Sequence, residues 1–239
     1  MKQVQLIQTG ISNYDHIWKL QQHLFQQVTR EQTDNYLILT EHHPVVTIGQ
    51  KSNPAHLLAD QAYLRQQGIE LFHIDRGGDI TFHGPGQLVG YPVLNLLDFK
   101  PDIHWYLRNL EEIIIHTLAE FGIPAGRIKN LTGVWSGDKK ICAIGVKITR
   151  WVTMHGFALN VSTDLNYFKY IIPCGISGKG VTSIFEQIGN ITELNDVSSR
   201  VCANFAEIFN VSLIPVQSEE IKTLIEQANA NQEEQKSPA

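Results

Sequence analysis

The sequence predicts an α+β fold, a mixed β-sheet flanked by helices. Apolar residues recur at helical spacing in three long segments. Short β-type runs lie between them, and the central ones follow one another at hairpin spacing instead of alternating with helices as a βαβ ladder would. With 239 residues, 43% hydrophobic and 18% charged, the chain can bury a core and is too apolar for a disordered polymer.

The elements follow in order. Ile17, Leu20, Leu24 and Val28 set a helical face across 13–29. Residues 35–40, Asn-Tyr-Leu-Ile-Leu-Thr, read as a buried strand, and Val45-Val46-Thr47-Ile48 as a shorter one after Pro44. A short helix is expected over 57–66, stopped near Gly68, then a strand over 70–74. Residues 88–96 read as a strand whose Pro92 calls for an edge or a bulge, because proline donates no ladder hydrogen bond. The stripe Ile103, Tyr106, Leu107, Leu110, Ile113, Ile114, Leu118 and Phe121 is helical and ends before Gly122 and Pro124. Val134-Trp135, 141–149 and 156–161 are three β-runs, the first two joined by the turn Ser136-Gly137-Asp138. A helix over 193–209, a strand over 211–216 and a helix from Ser218 to about Ala228 close the chain. One domain over 1–228 is expected, with room for a small C-terminal subdomain from about 190, then a polar, disordered tail over 229–239.

Composition excludes several functions. The net charge of −5 argues against a general nucleic-acid binder. Three cysteines with no CxxC pair make neither a disulfide scaffold nor a zinc site, and the ten histidines include no HExxH, so no metal is expected. No apolar stretch is long enough to span a membrane, and no apolar h-region follows Met1, so the cytoplasm is the expected compartment. Between Gly126 and Gly180 eight basic residues stand against Asp138 and Asp164, a local excess suited to an acidic partner.

Three segments carry chemistry. Arg76-Gly77-Gly78-Asp79-Ile80-Thr81-Phe82-His83-Gly84-Pro85-Gly86-Gln87 holds four glycines and a proline in twelve residues. Glycine lets backbone approach a ligand closely. Neither GxGxxG nor GxxxxGK[ST] is present, so the composition suits a narrow slot for an unbranched ligand better than a nucleotide site. Lys140 opens a run whose period-2 face continues through Cys142, Ile144, Val146 and Ile148, while Ala143 and Gly145 are small enough to floor a slot. Gly156-Phe157-Ala158 repeats the small-large-small theme and could wall it. Cys174, between Pro173 and Gly175, is the positioned thiol, whereas Cys142 and Cys202 sit in apolar runs as small hydrophobes. A thiol reacts as thiolate, and the activator stays open among a cation such as Lys140, a helix N-terminus, and His83 or His155.

Together these segments resemble the lipoyl(octanoyl) transferase family, the octanoyltransferases of lipoate biosynthesis. The matching pieces are Glu41–Gly49, Arg76–Gln87, Gly133-Val134-Trp135, Lys140–Val146, His155–Asn160 and Pro173-Cys174-Gly175-Ile176, in the family's order. The resemblance implies a fold similar to the catalytic domains of biotin and lipoate protein ligases. It implies transfer of an octanoyl group from octanoyl-acyl carrier protein to a lysine of a lipoyl domain, as in 2-oxoacid dehydrogenases and the glycine cleavage H protein. By motif, Cys174 would hold the acyl thioester and Lys140 would lower its pKa. Arg76, Gly77, Gly78, Asp79, Ile80, Thr81, Phe82 and His83, with Ala143, Ile144, Gly145, Gly156, Phe157 and Ala158, would bind the acyl chain. No cofactor is implied, and a monomer is expected. The doubled His42-His43 and the thiol of Cys142 depart from the family pattern, the latter adding a second candidate sulfur. The alternatives are an amidotransferase moving octanoyl or lipoyl groups between lipoyl domains, an ATP-dependent lipoate ligase, and a binding protein whose Cys174 is inert.

Overall fold

The computed structural model describes residues 1–30, 34–173 and 178–236. Its order is β1 (Lys2–Ser12), α1 (Tyr14–Thr29), β2 (Asn35–His42), β3 (Val45–Ile48), α2 (Gln61–Gln66), β4 (Glu70–His73), β5 (Ile80–His83), β6 (Gln87–Val93) and α3 (Ile103–Ala119). There follow β7 (Gly126–Ile128), β8 (Leu131–Ser136), β9 (Lys139–Thr149), β10 (Val152–Asn160), α4 (Ile184–Ile188), α5 (Leu194–Phe209), β11 (Val211–Pro215) and α6 (Ser218–Lys236).

An eight-stranded sheet runs β11-β1-β2-β6-β10-β9-β8-β7, and a three-stranded sheet runs β4-β3-β5. β1 pairs parallel to β2 and β11, and the remaining pairs of the large sheet are antiparallel, so the sheet is mixed as the sequence predicts. Its two faces bury separate cores. On one, Leu110, Ile113 and Ile114 of α3 and Val197, Val201 and Phe205 of α5 pack on Leu37, Leu39, Leu88 and Leu159. On the other, Ile17, Leu20 and Leu24 of α1 pack on Ile38, Val89 and Tyr91, with Ile221, Leu224 and Ile225 of α6 alongside. Burying each of these aliphatic side chains contributes about 1.5–3 kcal/mol. α5 thus shares the core of the main sheet.

Several elements differ from expectation. β1 was not foreseen, although Val4 and Leu6 alternate with glutamines, because a strand this polar gains its place only by pairing on both sides. β5 lies inside the glycine-rich segment, where composition reads as loop. The expected helix over 57–66 is a 3-10 turn at Pro54–His56 and the short α2, whose N-cap Asp60 accepts from the Ala62 amide. α6 continues to Lys236, eight residues past the expected end and into the expected disordered tail, so a helix stands where low hydrophobicity suggested none. β6 is an interior strand despite Pro92. The conflict is resolved because its ladder to β10 runs from Gln87↔Asn160 to Gly90↔Phe157 and stops before Pro92, where no donor is needed.

Close backbone approach explains two glycines in the sheet. A Cβ on Gly156 would stand 2.1 Å from the Gly90 carbonyl oxygen, and one on Gly90 would stand 2.1 Å from Cζ of Phe157. The Phe157 ring occupies the space that a side chain at 90 would need. Gly156→Ala should therefore cost about 3 kcal/mol through forced backbone displacement, read as a lower urea midpoint with an unchanged slope.

Candidate active site

β9 is the spine of the site, and one extra residue sets its phase. Against β8, Val134 pairs with Cys142 but Trp135 pairs with Lys140, so Ile141 is a bulged residue. A one-residue insertion moves every side chain beyond it to the opposite face. Lys140 therefore shares its face with Ala143, not with Cys142 and Ile144 as strict alternation suggests. Lys140, Ala143, Ala158 and Asn160 line one narrow cleft, while Ile141 and Cys142 are both in the core under α3. Gly133, at φ +117°, passes beside the bulge: a Cβ there would stand 2.6 Å from the Cys142 oxygen. Its amide donates to Glu111 Oε1 at 3.2 Å, and that buried carboxylate also accepts from Arg108 and from Arg127 Nε at 2.8 Å.

Lys140 is 6% exposed, with Nζ 4.9 Å from the centre of the Trp135 ring. β10 stops pairing at Cys142, and residues 180–182 take its place beside Lys140. The Lys140 amide donates to the Gly180 oxygen at 2.9 Å, and the Thr182 amide donates to the Lys140 oxygen at 3.0 Å. Pro173 lines the narrow cleft with Lys140. Cys174 itself lies outside the described residues.

Lys140 also borders a cavity of about 540 Å³. Ala143, Gly145, Gly156 and Ala158 give it small-residue walls, and Ile144, Val146, Phe157 and Leu107 give it apolar ones. Arg76-Gly77-Gly78 crosses β9 at Gly145, where the Gly77 amide donates to the Val146 oxygen at 2.9 Å. A Cβ on Gly145 would stand 3.0 Å from the Gly77 oxygen. The Arg76 guanidinium is buried and donates to the Thr47 oxygen at 2.9 Å and Oγ1 at 3.0 Å. The amides of Gly49, Gln50 and Lys51 clamp the same segment, donating to the oxygens of Asp79, Arg76 and Gly78.

All the residues expected to bind the acyl chain border this cavity except Ile80 and Phe82. Those two alternate with Thr81 and His83 along β5 and point the other way, into a core with Val46, Leu64 and Phe168. Phe82 stacks on Tyr167 with centroids 4.6 Å apart. Tyr14, Lys51 and Tyr91 also line the cavity and were not anticipated. Nothing local in the sequence marks them, since each comes from a segment whose own pattern is structural.

Burial makes the histidines of this region neutral. It pushes His83 down to about 3, with His42 adding repulsion, and His42 down to about 4. Gln87 Oε1 can only accept, so His83 Nδ1 donates to it at 2.8 Å and Nε2 keeps its lone pair. His155 is also lowered, by burial first, and its Nε2 donates to Asp75 Oδ1 at 2.8 Å. That hydrogen bond, aided by Lys147 Nζ at 2.5 Å, holds the Asp75 carboxyl well below the usual carboxylate range. The Cys142 thiol is fully buried and is pushed strongly up by desolvation, which removes it as a nucleophile near neutral pH. Half-buried Cys202 is pushed up to about 11 by the same cause. Among the described residues no group of three metal-ligating side chains comes together, and no helix is long and apolar enough to cross a membrane.

Residues 13–206 match the family model described as the lipoyl protein ligase A/B catalytic domain. The chain belongs to that family. Among similar proteins is the octanoyltransferase of Flavobacterium johnsoniae, 45% identical over 89% of this chain and 99% of that protein. The octanoyltransferase of Solibacter usitatus is 47% identical over 90% of this chain and 97% of that one. The fold matches a lipoate-protein ligase A structure bound with ATP, at 19% identity and a TM-score of 0.77, covering 95% of this chain and 94% of the other. It also matches protein Ta0514 of T. acidophilum with bound lipoic acid, at 18% identity and 0.76, covering 94% of each chain.

The Asp75 cluster yields a pH prediction. A carboxyl whose folded pKa is depressed stabilises the fold above its unfolded value of about 3.8, and that contribution fades as pH falls toward the folded value. Asp75→Asn should lower the urea midpoint at pH 7, with the gap to the parent protein closing between about pH 5 and pH 2.

Proposed function

We propose that this chain is an acyltransferase that moves an octanoyl group from octanoyl-acyl carrier protein to a lysine of a lipoyl domain, through a thioester on Cys174. The observation that carries the reading is the small-residue cavity that Lys140 borders. The relatives named octanoyltransferase support the acyl group, and the family's lipoyl character supports the acceptor. Residues on both sides of Cys174 border Lys140: Pro173 before it, Gly180 and Val181 after it. This favours Lys140 as the cation that stabilises a Cys174 thiolate.

The chemistry follows in two steps. The thiolate attacks the carrier thioester, a carbon–sulfur bond forms, and the carrier thiol leaves with a proton. One thioester replaces another, so the exchange is nearly balanced and needs no ATP. The acceptor lysine then attacks as a neutral amine, the carbon–nitrogen bond forms and the Cys174 sulfur leaves. In this reading backbone amides, that of Gly78 among the candidates, stabilise the tetrahedral oxyanion. A cavity near 540 Å³ falls within the size of small-molecule sites, and each buried CH₂ of the chain contributes about 0.8 kcal/mol. The basic stretch from Arg127 to Lys179 suits acidic carrier and lipoyl domains.

Intact mass spectrometry after mixing with octanoyl-carrier protein should show an adduct of about 126 Da that Cys174→Ala abolishes. Persistence of the adduct in Cys174→Ala and its loss in Cys142→Ala would overturn the assignment. Lys140→Ala should stay folded and shift the pH dependence of thiol alkylation upward, whereas an unchanged profile would strip Lys140 of its role.

A further inference from the structure

β9 leaves a short stretch of its edge open beside the cavity. β8 pairs with β9 at Val134↔Cys142, so the next step of that ladder would pair Thr132 with Ile144. That pair does not form among the described residues. Gly133 turns aside at φ +117° and gives its amide to Glu111. On its other edge β9 stays paired to β10 as far as Thr149↔Val152. The Val146 oxygen accepts from the Gly77 amide, so Val146 turns its backbone groups away from β10. Backbone groups alternate between the two edges of a strand with period two. The Ile144 N–H and C=O therefore point the same way, into the gap that Thr132 leaves. Burial agrees: residues 143–148 are all half-buried, whereas every residue of β10 is buried.

That gap is part of the cavity. Leu131 and Thr132 line it from β8, Ile144 and Val146 from β9, and Ile103 and Leu107 from α3. Among the lining residues Lys51, Ile103, Asn130 and Thr132 are exposed, while Tyr14, His83, Tyr91 and His155 are buried. The mouth therefore lies on the side of the Ile144 edge. The open stretch is short. Cys142 bounds it through its pairing with Val134, and Gly77 bounds it through its bond to Val146. A polypeptide strand adds to a sheet through several successive residues of free edge, whereas one secondary amide needs a single group. The stretch offers the N–H groups of Ile144 and Val146 against the one carbonyl of Ile144. A backbone donor without a partner is the rarer state in folded proteins, so an acceptor on the ligand suits it best.

We infer that the Ile144 N–H binds a secondary-amide carbonyl on the arm of the thioester substrate, whose acyl end occupies the cavity. The inference rests on the transfer reading above and names the part of the donor that the mouth recognises. A carrier thioester is borne on a pantetheine arm, a thin chain with secondary amides in series. The atoms that lead out of the acyl cavity are those of this arm. Its amide takes the place of the missing Thr132, and its methylenes lie against Leu131, Ile103 and Leu107. Recognition of this kind uses main chain, as strand addition does, so no side-chain motif announces it.

Thioethers, which cannot donate an acyl group, isolate the contact. N-acetyl-S-octylcysteamine carries the amide at the spacing of the arm. Its thioamide counterpart keeps the shape and the N–H but accepts weakly. The amide should bind the full chain roughly fivefold more tightly than the thioamide by calorimetry. By nuclear magnetic resonance on isotope-labelled protein, it should slow hydrogen exchange at the Ile144 amide about tenfold at saturation. Exchange at Ile148, on the same edge beyond the Gly77 crossing, should not change. Equal affinity for the two probes, binding of neither, or no protection at Ile144 would overturn the inference. Protection of Ile144 by a lipoyl domain but by neither thioether would give the edge to the acceptor and overturn it as well. Ile144→Pro removes that N–H at a position where β10 needs none and should bind both probes alike. The exchange measurement decides without this variant if it does not fold. Failure of the thioester reading shows separately, as absence of the adduct from octanoyl-carrier protein while the probes still bind.

Discussion

The extra residue at Ile141 governs the site. Without it, Lys140 would face the core under α3 alongside Cys142, where an ammonium is costly to bury. With it, the lysine stem passes Gly133, the head lies over the Trp135 ring, and the backbone of 180–182 pairs along it. The bulge is supported from behind by Glu111, whose carboxylate bonds the Gly133 amide and is held in turn by Arg108 and Arg127. A buried carboxylate with so many donors fixes backbone geometry more than it adds stability. The same half-turn of phase puts one thiol of this strand into the core and its lysine into the cavity.

The second constraint is the close crossing of backbone over backbone. Gly77 sits on Gly145, and Gly90 and Gly156 are neighbours across the β6–β10 ladder. These contacts thin part of the cavity wall to small side chains and main chain, beside the larger Ile144, Val146, Phe157 and Leu107. Around the cavity the ionisable groups are sorted by burial. His42 and His83 are kept neutral, while Asp75 is kept charged by His155 and Lys147. Positive charge is delivered at Lys51, Arg76 and Lys140, and a carboxylate with a spare oxygen at Asp79.

Much of this was legible in the chain. The stripes of α1, α3 and α5 read directly as helices, because each buries one continuous face. The glycine-rich segment announced close backbone approach, and twelve of its residues and their partners from β9 and β10 do border the cavity. Ile80 and Phe82 do not, because a strand inside that segment sends alternate side chains to opposite sides, and composition gave no sign of the strand. β1 was hidden for a related reason: its polar residues are tolerated only through pairing with β2 and β11, which are distant in sequence.

By itself the sequence determined which stretches become helices, where backbone must come close, and which residue types carry the chemistry, since periodicity and glycine content are local properties. Tertiary structure alone decided which way Lys140 points, that Cys142 is sealed from solvent, and that His56 meets Asp79. Those outcomes depend on strand register and on contacts between segments far apart along the chain, and a single bulged residue, invisible to composition, reverses the face on which a side chain emerges.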